Sequence, residues 1–242
     1  MPILKKMDSY FGKERLNKLK KVLLSIVIAL SIGTLWRIFK VVDDPERRQR
    51  LIFYMIQYVS MILVLFAATF VRKRFDFNIP IILEASFVIF AFCGFILGDV
   101  FDFYGKIPIW DDILHTLSGV ILAVVGLVVI GAFVNSQKIP ISLSPLFVSI
   151  AVILFSLSLG ALWEIGEYLY DDVMGTNTQQ FMKSTSGTLT DEEDIPLEGH
   201  EALEDTMMDL ILDFGGAVVV ATTYYIYEKV KGKSPLIDET SN

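Results

Sequence analysis

The chain has 242 residues, of which 53% are hydrophobic, and its formal charge is −7. Its mean hydropathy of +0.55 sets it apart from an ordinary soluble domain. The acidic surplus, with no basic stripe interleaved with aromatics, excludes nucleic acid as a partner. A single cysteine, Cys93, excludes both a disulfide framework and a cysteine-based metal motif.

In chain order, residues 1–21 come first and carry Lys5, Lys6, Lys13, Arg15, Lys18, Lys20 and Lys21. They read as a basic cytoplasmic segment, an amphipathic lead-in lying on the membrane surface. The apolar run that follows is about 20 residues long, which fits an uncleaved anchor better than a secretory signal. Six spans are expected, at about 22–42, 51–71, 80–101, 113–134, 146–170 and 206–227. Pro80, Pro108, Pro140 and Pro145 fall at or between span ends, where a missing backbone donor does little harm. The fold expected is therefore all-α: a polytopic membrane protein, residues 22–228 forming a bundle of six transmembrane helices. Residues 229–242 make a cytoplasmic tail.

Orientation follows from the distribution of lysine and arginine. With six spans, both termini and the loops 72–79 and 135–145 share one side, which holds fourteen of the 21 basic residues. That side is expected to be the cytoplasm, so the chain is read as N-in and C-in, a multi-pass protein of the cell membrane. The loop 171–204 then lies outside the cell. Its run Asp191-Glu192-Glu193-Asp194 lacks the spacing and central glycine of a calcium-binding loop and reads as a solvated acidic face.

Acidic residues gather at the outer ends of the spans. The third span leaves with Asp99 and Asp102, and the fourth enters with Asp111, Asp112 and His115. The fifth leaves with Glu164, Glu167, Asp171 and Asp172, and the sixth enters with Asp205, Asp209 and Asp213. Residues three or four apart share a helix face, so each cluster forms one stripe. Asp205, Asp209 and Asp213 descend the sixth span over about 12 Å of helical rise. Ionisable groups at membrane depth are costly and mark function.

Carboxylates with one imidazole point to a divalent metal, with Mg, Mn or Zn all compatible. The expected ligands are His115, Glu164, Glu167, Asp205, Asp209 and Asp213. His115, Asp111, Asp112 and Glu167 are the expected catalytic groups, His115 serving as ligand or general base and Asp111 or Asp112 fixing its tautomer. Glu84, at the inner end of the third span, is expected to snorkel or to pair with Arg72 or Arg74. Gly215, Gly216, Ala217 and Ala221 offer a small-residue face for close helix packing, and Tyr224, Tyr225 and Tyr227 an aromatic belt. No broken helix is apparent in the sequence, and His200 reads as solvated.

Three motifs carry a resemblance: Trp110-Asp111-Asp112-Ile113-Leu114-His115-Thr116-Leu117-Ser118-Gly119, Trp163-Glu164-Ile165-Gly166-Glu167, and Asp205-Thr206-Met207-Met208-Asp209-Leu210. Together, over residues 80–220, they resemble the YjdF-type family of bacterial membrane-spanning proteins. The layout is similar, more distantly, to the VanZ-like family associated with glycopeptide resistance. There an Asp-Lys-x-x-His, a Glu-x-x-Gln and an Asp-x-x-x-Asn-x-x-Gly-Ala would fall on Asp111 to His115, Glu164 to Glu167, and Asp209, Asp213, Gly216 and Ala217. This chain has Asp112, Glu167 and Asp213 in place of Lys, Gln and Asn, which makes the site more acidic. Neither likeness implies a settled reaction.

The function expected is metal-dependent hydrolysis or group transfer on a lipid or lipid-linked envelope substrate at the outer leaflet. The alternatives are cation- or proton-coupled transport, and a structural or regulatory role in envelope stress with the loop 171–204 as docking surface.

Overall fold

Apolar runs long enough to cross a bilayer must satisfy every backbone group within the segment, and helix is the only way a single run does so. The computed structural model describes residues 2–41, 44–75, 79–136, 142–183, 188–190 and 194–232. They form helices joined by loops, with an isolated antiparallel bridge from Met182 to Pro196 and no strand among the described residues. Six helical stretches are long and apolar enough to span a membrane: Lys13–Lys40, Pro45–Phe75, Ile81–Val100, Trp110–Ser136, Pro145–Met174 and Glu201–Val230. Each coincides with an expected span. The helices begin and end beyond the apolar windows, because polar residues in the flanking turns still close backbone hydrogen bonds.

The chain divides into two compact units. Residues 6–110 and 184–194 form one; residues 1–5, 111–183 and 195–242 form the other. In the first unit, α1 (Pro2–Phe11) ends at Gly12, whose φ of 74° turns the chain into α2 (Lys13–Lys40). Residues 13–21 of the expected lead-in thus open the helix of the first span, and residues 2–11 form a separate helix. It is tied down where the Asp8 carboxylate accepts a bond from Ile82 N at 2.8 Å, in the first turn of α4 (Ile81–Ala91). With α3 (Pro45–Phe75), these helices bury Val27, Tyr58, Met61, Leu65 and Val88.

Of the two readings of Glu84, pairing with Arg72 holds and snorkelling does not: Glu84 is buried, bonded at 2.8 Å to Lys20 and paired also with Arg72, so one carboxylate links α2, α3 and α4. The third span is not a uniform helix. At Phe92 it passes into a π-helical segment, Phe92–Val100, continued by the i to i+5 bond from Phe101 N to Ile96 O at 3.0 Å. Asp102 then takes the left-handed conformation (φ 58°), which short polar residues tolerate, and turns the chain into α5 (Phe103–Lys106).

The second unit contains α6 (Trp110–Ser136), α7 (Pro145–Met174) and α8 (Glu204–Lys231), the last entered through a single 3₁₀ turn at Glu201–Leu203. Ser144 caps α7 by accepting from Phe147 N, and Pro145 takes the first helical position, where its missing donor is harmless. In lipid, helices gain little from burying apolar surface against one another, so close backbone approach and interhelical hydrogen bonds hold them. Gly119 and Gly216 permit that approach: a Cβ on Gly119 would overlap the Asp213 carbonyl, and one on Gly216 the Thr116 carbonyl. Ser156 Oγ donates to Gly119 O at 3.1 Å, and Ser149 Oγ to Ala221 O at 3.0 Å.

The expected small-residue face is therefore right for Gly216, Ala217 and Ala221, which are buried. Gly215 faces outward with open space beside it. Tyr224 is no belt residue either: it is buried with Leu127, Val148, Val152 and Ala221. Leu154, Leu162, Ile211 and Val219 lie on the exposed faces, as spans that meet lipid require.

Candidate functional site

α6 starts at Trp110, so Asp111 and His115 lie four residues apart on its first two turns and face the same way. Asp112 is rotated by about 100° and is exposed, with Thr116 donating to its carbonyl. Acids in this first turn also meet the positive end of the helix dipole. Asp209 and Asp213, one turn apart on α8, are both buried, and α7 contributes the buried Glu164.

His115 stands between two groups of carboxylates. Its Nε2 lies 3.6 Å from Asp111 Oδ1 and 3.7 Å from Asp209 Oδ2. On the other side of the ring, Nδ1 is 3.6 Å from Asp213 Oδ2. These distances exceed hydrogen-bonding range, and His115 Nδ1 and Asp209 Oδ2 have no hydrogen-bond partner. Asp213 is itself fixed: Ser118 Oγ donates to its Oδ1, and the carboxylate lies where a Cβ on Gly160 would fall. A carboxylate therefore faces each ring nitrogen, Asp213, bonded by Ser118, at Nδ1 and Asp111 with Asp209 at Nε2.

Asp111, His115 and Asp209 each offer one ligand atom, and these atoms all lie within 4.8 Å of one another. Ligands about 2.1 Å from a shared ion stand about 3.0–3.5 Å apart, so the spacing around Nε2 is close to that of a coordination sphere. Glu164 carries two buried oxygens without hydrogen-bond partners, as does Oδ2 of Asp205. No lysine or arginine among the described residues pairs with Asp111, Glu164, Asp205, Asp209 or Asp213. Desolvated carboxylates without cationic side chains need a metal ion or shared protons.

Of the expected site residues, then, the structure gathers Asp111, His115 and Asp209 most tightly, with Asp213 behind the imidazole. Glu164 and Asp205 are in electrostatic reach of Asp111 and His115. Glu167 is half-buried, and its Oε1 accepts from Trp163 Nε1 at 2.9 Å. Asp112 is not brought in. Asp99 and Asp102 belong to the other compact unit. Asp171, which continues the acidic stripe of α7, is committed to the loop that follows. It accepts from Thr176 Oγ1 at 2.6 Å, Thr178 Oγ1 at 2.6 Å, Thr178 N at 2.8 Å and Gln179 N at 3.0 Å.

That loop supplies the residues sequence reasoning missed. Gln180, at φ 47°, donates from Nε2 to Asp111 Oδ2 at 2.7 Å. Gln179 donates from Nε2 to Thr206 Oγ1 at 3.0 Å and to Glu164 O at 3.5 Å. Ser118 was within reach of the same-face rule, lying three residues after His115. The two glutamines were not, because only the turn built on Asp171 and the left-handed Gly175 brings them back over the helix ends. His200 is exposed, as expected. Residues 184–187 and 191–193, which include most of the acidic run, lie outside the described residues.

A family model described as a predicted membrane protein (DUF2238) matches residues 19–230, which takes in all six spans and every residue of the site. No curated protein and no solved structure matches the chain.

Proposed function

Since the chain belongs to the DUF2238 family of predicted membrane proteins, whose description names no activity, we propose a function from the site itself: a divalent cation held by Asp111, His115 and Asp209, serving hydrolysis or group transfer on a lipid-linked substrate. The observation that carries this reading is the buried triad, with its ligand atoms within 4.8 Å of one another and Asp209 Oδ2 free of any hydrogen bond. Mg, Mn and Zn are all compatible with two carboxylates and an imidazole. Such an ion supplies Lewis acidity and an activated water. With an ion at Nε2, Asp213 is the carboxylate that would face the proton on Nδ1, and Gln180 fixes one oxygen of Asp111 so that the other faces His115. Glu167, farther along α7, is the carboxylate left to take a proton.

The bias of lysine and arginine puts the site at the outer leaflet of the cell membrane, where the acyl chains of an amphiphilic substrate reach it laterally. Likeness to YjdF-type and VanZ-like proteins belongs to the same proposal and leaves the reaction open. Transport is less favoured: Glu84, the acid expected at the inner end of the third span, is held by Lys20 and Arg72 and is not free to relay a proton.

Right-side-out membrane vesicles carrying the chain test the reading. Lipid-linked phosphates and esters supplied outside should be turned over, and EDTA added outside, which does not cross the bilayer, should abolish turnover. Turnover indifferent to the chelator, or confined to inverted vesicles, would sink this account.

A further inference from the structure

The triad leaves part of the site's negative charge unanswered. Glu164 is only 4% exposed, and neither of its oxygens has a hydrogen-bond partner. Asp205, one turn above Asp209 on α8, likewise has a buried Oδ2 without a partner. Neither residue joins the Asp111, His115 and Asp209 set, so an ion seated there does not share its ligands with them. Gln179 Nε2 bridges the Glu164 carbonyl and the hydroxyl of Thr206, the residue next to Asp205, and Glu164 and Asp205 sense each other's charge. Two carboxylates from neighbouring helices, with no lysine or arginine among the described residues paired to either, repel one another unless they share a proton or a cation lies between them.

We propose that Glu164 and Asp205 hold a second divalent cation, making the centre a two-ion site. The inference rests on the first ion at Asp111, His115 and Asp209. Oxygen-only ligation makes the second position harder in character than the first, suited to Mg²⁺, Mn²⁺ or Ca²⁺, whereas the imidazole of the first also accepts Zn²⁺. Thr206 Oγ1, already accepting from Gln179, keeps its own proton to donate toward the carboxylates, and waters complete the shell as they do for hard ions in protein sites. Two adjacent ions, one on each side of a reacting group, are the arrangement that steadies both the attacking and the leaving oxygen of a displacement.

The test is Mn²⁺ stoichiometry, by equilibrium dialysis of the detergent-solubilised full chain followed by elemental analysis. The expected result is two Mn²⁺ per wild-type chain and one in Glu164→Gln and in Asp205→Asn, with at least a tenfold loss of affinity at the second position. Gel filtration and thermal melting of each variant identify any that fail to fold, and the other variant then decides. One Mn²⁺ in the wild type, unchanged in Glu164→Gln, would overturn the second ion and leave the first. Two in both proteins would overturn its assignment to Glu164. None in the wild type would overturn the reading on which the inference rests.

Discussion

Ser118 and Asp213 are placed to act on the Asp111, His115 and Asp209 triad from outside it. Ser118 Oγ bonds Asp213 Oδ1, and Asp213 Oδ2 faces His115 Nδ1. Removing the hydroxyl frees the carboxylate to rotate, and the imidazole loses the neighbour that faces Nδ1. Groups that orient a ligand typically cost about 10- to 100-fold in metal affinity when lost. Ser118→Ala should therefore weaken metal binding about tenfold while the melting temperature of the metal-free protein stays within about 2 °C, a change of under about 1 kcal/mol. Calorimetric titration with Zn²⁺ measures the first and a thermal scan the second. Equal metal affinity in the two proteins would show that Asp213 holds its place without Ser118.

At the scale of elements, the site depends on how closely α8 approaches α6. Gly119 and Gly216 set that distance, and Asp209 and Asp213 flank the crossing on the side of the site. A larger residue at Gly216 must move the Thr116 carbonyl or the helix. Gly216→Leu should cost about 2–3 kcal/mol, toward the upper part of the range for overpacking because backbone atoms are the obstacle. It should also abolish stoichiometric metal binding, whereas Gly215→Leu, on the outward face with open space beside it, should do neither. Thermal unfolding in detergent, with metal content of the folded fraction, separates the two. This contrast also shows what periodicity conveys: the sequence displays two adjacent glycines, and only the register of α8 against α6 tells which one the packing needs.

Taken over the whole molecule, the helices and the site were legible to different depths. Six spans could be read because each buries its backbone polar groups alone, so length and hydropathy suffice to find it. Asp111, His115, Asp209 and Asp213 were legible as well, since a carboxylate at that depth requires a partner and the four-residue spacing aligns them. Other features were not. Asp112 carries the same charge as Asp111 and differs only in rotation about the helix. Gln179 and Gln180 reach the site from a loop whose course depends on four hydrogen bonds to Asp171. The π segment at Phe92–Val100 leaves hydropathy unchanged, and Lys20, which shares Glu84 with the expected Arg72, comes from another helix.

At the centre of the proposed function is a divalent cation held by Asp111, His115 and Asp209. Elemental analysis of the purified, detergent-solubilised protein, wild type beside Asp209→Asn and His115→Ala, tests it most directly. The account predicts a stoichiometric divalent metal in the wild type and its loss at the triad in both variants. A metal-free wild type that stays folded and takes up no Mg²⁺, Mn²⁺ or Zn²⁺ on dialysis would contradict it and leave shared protons as the answer to the buried charge.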